Sequence, residues 1–192
     1  MRITGGNKRR HGLKAPAGWN TRPTSDRVRE ALFNILMHHD FGPVVGDPLA
    51  NARVLDAFCG TGALAFEALS RGAASATLFD IDRVAVTVAQ DNAAALGFAA
   101  QCAVQRADAA KPPRAGLPCN LLFLDPPYRK NLAPKALLAL DETGWLAPVC
   151  VIVIETAKDE ALSLPERYAP LLHRVWGDTA ITIMAKDEAE TR

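Results

Sequence analysis

Features that would assign the chain to a specialised class are scarce. Only four cysteines occur among 192 residues, and no two of them form a C-x-x-C pair. Such sparse cysteines are typical of a reduced, cytoplasmic protein and argue against a disulfide framework or a zinc site. No apolar run approaches the length of a membrane span, and the segment after Met1 lacks the apolar core of a secretory signal. We therefore expect a cytoplasmic protein with no metal and no membrane contact.

Net charge is also nearly absent, at +1, but the charges are unevenly distributed along the chain. The first 30 residues hold eight lysines and arginines against two acidic residues, whereas the remainder holds 14 basic and 19 acidic residues. A concentrated basic segment favours contact with phosphates, although a solvated tail would have the same composition. With 49% hydrophobic residues, the rest is ordinary for a globular domain, and a monomer is expected at this length.

Hydrophobic periodicity divides the chain at about residue 50. Residues 1–22 lack helical spacing, and a small hairpin or ordered arm is expected there. Thr24 is a candidate N-cap for the helix that follows. The apolar stripe of that helix is formed by Val28, Ala31, Leu32, Ile35 and Leu36. Residues 40–50, which contain Pro43 and Pro48, are expected to form a loop.

From residue 51 onward, short apolar runs alternate with helical stretches. The predicted strands are Arg53–Asp56, Ala76–Ile81, Ala103–Arg106, Asn120–Asp125 and Val149–Glu155. The predicted helices are Ala63–Arg71, Arg83–Leu96 and Pro134–Asp141. This alternation predicts an α/β fold with a parallel sheet. Gly177-Asp178 is a hairpin signal between two further strands, which predicts an antiparallel pair at the end. Those two strands are Leu171–Trp176 and Thr179–Ala185.

The most informative motif is Asp125-Pro126-Pro127-Tyr128, which directly follows the apolar run Leu121–Leu124. In open α/β sheets, ligands bind at the carboxyl ends of such strands. The motif suits alkylation of an exocyclic amino group, because Asp125 and the Pro126 carbonyl can accept both N–H bonds while the nitrogen lone pair points outward. The two prolines restrict this backbone, and Tyr128 offers a ring on which a base can stack. A rigid turn is the alternative interpretation.

A glycine turn, Gly60-Thr61-Gly62, follows the first predicted strand and allows close approach of a ligand to the backbone. With Ala65 it also fits the dinucleotide fingerprint G-x-G-x-x-A. Asp56 argues against a dinucleotide, because a carboxylate there would repel a pyrophosphate. It would favour a ligand with an ammonium group, such as S-adenosylmethionine.

Further aspartates follow the next two strands. Asp80 can accept both ribose hydroxyls, with Asp82 as its competitor or as the cap of the next helix. Asp108 can accept an adenine amino group or cap a turn. Together with Asp56 and Asp125, these carboxylates end four successive strands, so we expect all four to face one crevice.

The chain resembles the RsmD-type methyltransferases, which modify N2 of a guanine in 16S ribosomal RNA. The resemblance covers nearly the whole sequence, and its most distinctive block is Arg22–Asn34. Its other blocks are Asp56–Leu64, Glu67–Ala73, Asp125–Tyr128 and Gly144–Leu146. The N-terminal arm departs from the family pattern, because Leu13 stands where an arginine usually follows Gly12.

The resemblance implies a class I methyltransferase fold, with a seven-stranded, mostly parallel sheet and an antiparallel last strand. It implies S-adenosylmethionine as cofactor and 16S rRNA, within a small-subunit particle, as partner. Residues 1–50 would form the basic arm and helix, and residues 51–192 the methyltransferase domain.

The residues that would bind the guanine and act in catalysis are Asp125, Pro126, Pro127 and Tyr128. The expected cofactor-binding residues are Asp56, Phe58, Gly60, Gly62, Asp80, Ile81 and Asp108. The candidates for phosphate contact are Lys8, Arg9, Arg10, Arg22, Arg27, Arg129 and Lys130.

Three alternatives stay open. An N6-adenine methyltransferase on DNA or RNA would use the same Asp-Pro-Pro-Tyr motif, and only the N-terminal block disfavours it. A nucleotide-dependent oxidoreductase would use the Gly60 turn but would leave Asp125–Tyr128 unexplained. A non-catalytic RNA-binding factor on the same scaffold would have no use for the intact set of carboxylates.

Overall fold

The computed structural model describes residues 1–15 and 25–187. Its helices are α1 (Asp26–His38), α2 (Gly42–Val45), α3 (Ala63–Ser70), α4 (Arg83–Leu96) and α5 (Leu132–Glu142). Its strands are β1 (Arg53–Asp56), β2 (Ser75–Asp80), β3 (Cys102–Arg106), β4 (Cys119–Leu124), β5 (Leu146–Ala157), β6 (Tyr168–Trp176) and β7 (Thr179–Asp187). The longest described helix, α4, has 14 residues, and no helix in the described ranges could span a membrane.

The seven strands form one sheet in the order β3-β2-β1-β4-β5-β7-β6. The first five strands in this order, β3, β2, β1, β4 and β5, are parallel to one another. Strand β7 is antiparallel to both of its neighbours. This topology confirms the predicted fold class. Because the chain winds toward β3 from β1 and toward β6 from β4, the carboxyl ends of β1 and β4 flank the switch point where ligands bind in such sheets.

Alternation along the central strands supplies two apolar layers. Leu121 and Phe123 of β4 face the side covered by α1, α3 and α4, while Leu122 and Leu124 face the side covered by α5. Phe33 of α1 packs against Phe123 with ring centroids 5.7 Å apart. The central strands are therefore buried on both faces, which leaves the carboxyl edge of the sheet for a site.

Three local predictions need correction. Thr24 lies outside the described residues, and the N-cap of α1 is Ser25, whose hydroxyl oxygen accepts from the Val28 N–H at 3.2 Å. Residues 40–50 are not a continuous loop, because α2 forms one helical turn with Pro43 in its first positions, where proline is tolerated. The buried face of α1 is Arg29, Leu32, Phe33 and Leu36, whereas Val28 and Ile35 of the predicted stripe are only partly buried.

The N-terminal hairpin, residues 1–13, confirms that the arm is ordered. Its two sides are joined by the Ile3 N–H to His11 O bond at 2.9 Å and the Arg10 N–H to Ile3 O bond at 2.8 Å. Ile3 and Leu13 are buried in the same apolar layer as α1. The fully buried Glu67 of α3 accepts the Gly5 N–H at 2.8 Å. The hairpin is therefore packed onto the domain.

Candidate active site

A cavity of about 730 Å³ opens at the carboxyl edge of the sheet. Its lining includes the four predicted carboxylates, Asp56, Asp80, Asp108 and Asp125, one from the end of each of four strands. The expected convergence on one crevice is therefore observed. A second cavity, of about 640 Å³, lies beneath the segment between β5 and β6 and contains none of the predicted site residues.

Asp56 is the most unusual of these carboxylates because it is only 1% exposed. Its Oδ2 accepts the Ala65 N–H at 3.3 Å. Its Oδ1 has no hydrogen-bond partner and is the only such buried side-chain oxygen or nitrogen within residues 1–15 and 25–187. Burial, with a contribution from nearby Asp80, raises the pKa of Asp56 to about 7. An ammonium group in the cavity would supply the missing partner, so the site fits the amino-acid end of S-adenosylmethionine.

Asp80 is held between two backbone N–H groups. Its Oδ2 accepts from Gly60 and its Oδ1 accepts from Asp82, both at 2.9 Å. Each carboxylate oxygen has a second lone pair, so acceptor capacity for ribose hydroxyls remains. Asp82 instead caps α4, because its Oδ1 accepts the Val84 N–H at 2.8 Å. The helix-cap alternative thus applies to Asp82.

The other predicted cofactor residues fall into two groups. Phe58, Gly60, Ile81 and Asp108 line the cavity, and Asp108 also closes a turn by accepting the Ala110 N–H at 2.9 Å. Gly62 is not among the lining residues. It adopts φ +81° beside Phe66, and a Cβ there would come within 2.2 Å of the Phe66 ring. We infer that Gly62 shapes the turn rather than contacting a ligand.

The Asp125–Tyr128 loop follows β4 and lines the same cavity. The Tyr128 hydroxyl lies 2.6 Å from Glu155 Oε1 and 3.1 Å from Thr179 Oγ1. Burial and the bond to Glu155 raise the pKa of Tyr128 well above its ordinary value. Glu155 was missed by the sequence reasoning, although an acid directly after the apolar run Val151–Ile154 is a signal that could have been used.

A family model described as "Conserved hypothetical protein 95" matches residues 1–185. The chain belongs to this family. It is 36% identical over 188 residues to "Ribosomal RNA small subunit methyltransferase D" of Escherichia coli K12, covering 97% of this chain and 90% of the relative. It is 34% identical to the protein of the same name from Haemophilus influenzae, covering 92% and 89%. These relatives confirm the resemblance to the RsmD-type methyltransferases.

Solved structures agree with this family assignment. The methyltransferase yhhF from Escherichia coli superposes with a TM-score of 0.81 at 34% identity, covering 97% of this chain and 98% of that one. An RNA methyltransferase from Salinibacter ruber in complex with S-adenosyl-L-homocysteine superposes with a TM-score of 0.61 at 17% identity, covering 86% and 94%, and shows the shared fold alone. This family member is therefore a methyltransferase rather than an oxidoreductase.

The basic residues predicted to contact phosphates are dispersed. Lys130 lines the cavity, while Arg9, Arg10 and Arg27 are exposed. The ammonium of Lys8 lies 5.8 Å from the Phe98 ring centroid. The exposed Arg129 pairs with Asp159, with 3.0 Å between Nη2 and Oδ1. Arg22 lies outside the described residues. RNA contact by these side chains stays a prediction.

Arg29 is a further residue whose position the sequence reasoning missed. It is 1% exposed, lies in the cavity wall and donates to Asp26 Oδ1 at 2.7 Å. Its Nε also faces Glu67 Oε2 at 3.5 Å. Membership of the Arg22–Asn34 block was its only signal, because a charged residue is not expected on a buried helix face.

All four cysteines are free thiols, and one of them, Cys59, lines the cavity. Burial raises the pKa of Cys59, beside Asp56 and Asp80, well above its usual range, so this thiol stays protonated. Across residues 1–15 and 25–187, no three His, Cys, Asp or Glu side chains form a candidate metal site. The expected absence of a metal stays a prediction.

Proposed function

We propose that the chain transfers a methyl group from S-adenosylmethionine to the exocyclic N2 of a guanine in 16S rRNA of the small ribosomal subunit. One observation carries the proposal: the partnerless buried oxygen of Asp56 and the Asp125–Tyr128 loop belong to one cavity. The first suits the ammonium of the donor, and the second suits the amino group of the acceptor. The names of the Escherichia coli and Haemophilus influenzae relatives support ribosomal RNA as substrate.

Each of three aspartates would bind a different group of S-adenosylmethionine, the methyl donor. S-adenosylmethionine supplies an electrophilic methyl group on a sulfonium, which requires no metal to react. Asp56 would hold the ammonium, Asp80 the ribose hydroxyls and Asp108 the adenine amino group. The N–H groups of Gly60 and Asp82 already fix the carboxylate of Asp80, so little ordering remains to be done on binding.

The loop residues would prepare the acceptor nitrogen. Asp125 and the Pro126 carbonyl accept its two N–H bonds, which directs the lone pair toward the methyl group. Tyr128 stacks on the base, a contact worth about 1–3 kcal/mol. Most of the acceleration would come from alignment of nitrogen, carbon and sulfur. After transfer the nitrogen is acidic, and Asp125 or water takes its proton.

The partner proposals rest on charge. Arg9 and Arg10 are exposed on the N-terminal hairpin and Lys130 lines the cavity, and these three side chains would contact phosphates of the RNA. We propose a monomer that acts in the cytoplasm on a small-subunit particle, with residues 1–50 and 51–192 as its two parts.

Methyl mapping tests the proposal. Purified enzyme is incubated with labelled S-adenosylmethionine and unmodified 16S rRNA, either naked or assembled into particles. Mass spectrometry of ribonuclease fragments locates the methyl group, and complete digestion to nucleosides identifies the modified base. N2-methylguanosine at one position is the expected product, with more label in particles than in naked RNA. N6-methyladenosine would support the adenine alternative, and no labelled nucleoside from either RNA would contradict the proposal.

A further inference from the structure

The hydroxyl of Tyr128 is enclosed by two side chains from other parts of the fold. It lies 2.6 Å from Glu155 Oε1 and 3.1 Å from Thr179 Oγ1. A carboxylate oxygen can only accept, so the single hydrogen of the phenol is donated to Glu155. The Thr179 hydroxyl must then be the donor to the phenol oxygen. The Tyr128 hydroxyl therefore donates one hydrogen bond, to Glu155, and accepts one, from Thr179. Neither bond involves a ligand.

Glu155 and Thr179 lie on β5 and β7. The Asp125–Tyr128 loop itself makes no strand pairing with either of these strands. Glu155 lies near the carboxyl end of β5, one residue after Ile154, which pairs with Leu124 of β4. Thr179 is the first residue of β7 and pairs with Ala157 of β5. The antiparallel β5–β7 pair thus ends directly beside the loop. Its end is anchored by a nine-residue ladder, so both hydrogen-bonding groups sit on rigid elements.

Burial of the Glu155 carboxylate at this position costs free energy. It is 5% exposed and follows a run of four apolar residues in β5, where an apolar side chain would be cheaper to bury. Burial of such a carboxylate is tolerated because hydrogen bonds, including the one from Tyr128, compensate its lost hydration. The contact fixes the far end of an aromatic ring that has only two side-chain torsions.

We propose that Glu155 and Thr179 are positioning residues that hold the Tyr128 ring, and with it the Asp125–Tyr128 loop, in the orientation needed for base stacking. This inference rests on the proposed function. Tyr128 is partly exposed and lines the cavity, while its hydroxyl is engaged by Glu155 and Thr179. Tyr128 then contributes its ring face to the reaction, and its phenol serves as the point of attachment.

The test compares four single variants, one double variant and a matched control. Tyr128→Phe and Glu155→Ala each remove the contact, Thr179→Val removes the weaker bond, and Glu155→Gln keeps an acceptor oxygen. The chain contains one other tyrosine, Tyr168, whose hydroxyl donates to Asp141 Oδ2 at the same 2.6 Å but which is not part of this cavity. Tyr168→Phe is therefore the control for loss of a phenol–carboxylate bond elsewhere.

The expected readouts separate positioning from folding. Tyr128→Phe and Glu155→Ala should each lower kcat about tenfold, within the ~100-fold range that small misplacements produce, with S-adenosylhomocysteine affinity unchanged within about twofold. The Tyr128→Phe/Glu155→Ala double variant should be no worse than either single one, because both remove the same contact. Glu155→Gln should retain most of the activity, and Tyr168→Phe should leave kcat unchanged.

Specific results would contradict the positioning role of Glu155 and Thr179. A wild-type kcat in Glu155→Ala, losses that multiply in the double variant, or an equal loss in Tyr168→Phe would overturn the positioning role. If Glu155→Ala does not fold, a wild-type kcat in Tyr128→Phe and Thr179→Val overturns it instead. Failure of the wild type to methylate either RNA while binding S-adenosylhomocysteine would reject the proposed function, whereas full activity in the variants rejects the positioning role alone.

Discussion

Asp56 joins two properties that seldom occur together in a stable protein: nearly complete burial and an oxygen without a partner. Its pKa of about 7 in the folded protein exceeds the ordinary value of 3.8. The folded state therefore holds a proton that the unfolded chain has lost, and the contribution of this carboxyl to stability falls as the pH rises from about 4 to about 7. A bound ammonium would reverse this effect by stabilising the carboxylate.

Cofactor binding should therefore release a proton near neutral pH. The affinity for S-adenosylhomocysteine should rise with pH up to about 7 and level off above it. Titration calorimetry in buffers of different ionisation enthalpy measures the released proton, which should be about half an equivalent at pH 7. Asp56→Asn should bind more weakly and release none.

Asp82→Asn is the matched control for this measurement. It also changes a carboxylate at the cavity, but asparagine can keep the cap of α4. Proton release should persist in this variant. Persistence of the release in Asp56→Asn as well would place the titrating group elsewhere.

At the scale of elements, Glu67 holds three parts of the chain together. Its carboxylate accepts from Thr4 and Gly5 of the hairpin, faces Arg29 of α1 and pairs with Arg71 at 2.9 Å. With 0% exposure, this carboxylate is compensated entirely from within the protein. Glu67 thus links both the hairpin and α1 to α3, and Ser70 of α3 adds a second link to the hairpin by accepting the Lys8 N–H at 2.9 Å.

Glu67→Gln should destabilise the protein by about 3–5 kcal/mol, because it removes the counter-charge of the buried Arg71 guanidinium and takes one acidic partner from Arg29. Urea unfolding measures the loss. Lys158→Ala, which removes an exposed ion pair with Asp178, should leave the midpoint nearly unchanged. Equal midpoints for Glu67→Gln and the wild type would show that the buried cluster does not fasten the hairpin.

Helices and strands with a clear hydrophobic period were predictable from the sequence. Contacts between side chains far apart in the sequence were not. The strand Arg53–Asp56 and the helix Arg83–Leu96 were predicted with the observed bounds, because turn residues and caps delimit them. The burial of Arg29 could not be predicted from the sequence, because its buried partner Glu67 lies 38 residues away on α3. Glu155 acquired a role only when Tyr128, 27 residues away, was brought to it by the β4–β5 pairing.

At the scale of the whole molecule, exposed basic side chains on the hairpin contrast with the acidic lining of the cavity. Arg9 and Arg10 are exposed, whereas Lys8 is half-buried near Phe98. The two arginines are therefore the better choice for a test of RNA contact. Their proposed role is sequence-independent attraction to phosphates, an interaction that depends strongly on salt.

Arg9→Gln/Arg10→Gln should weaken RNA binding and reduce the slope of log K against log salt by about 1–2, at roughly 0.7–0.9 for each phosphate that the protein no longer neutralises. Filter binding at several salt concentrations measures this slope. Lys135→Gln/Arg174→Gln removes the same charge from exposed positions on α5 and β6 and is the control. Equal slopes in the two double variants would exclude a specific part for the hairpin.

We propose that one cavity holds both the donor and the base, with Asp125 acting on the base alone. The most direct measurement determines methyl transfer to 16S rRNA and S-adenosylhomocysteine affinity in the same preparation of Asp125→Ala. We predict a loss of transfer of at least about 100-fold with the affinity unchanged within about threefold. Transfer at the wild-type rate, or parallel loss of both properties in a folded protein, would contradict the account.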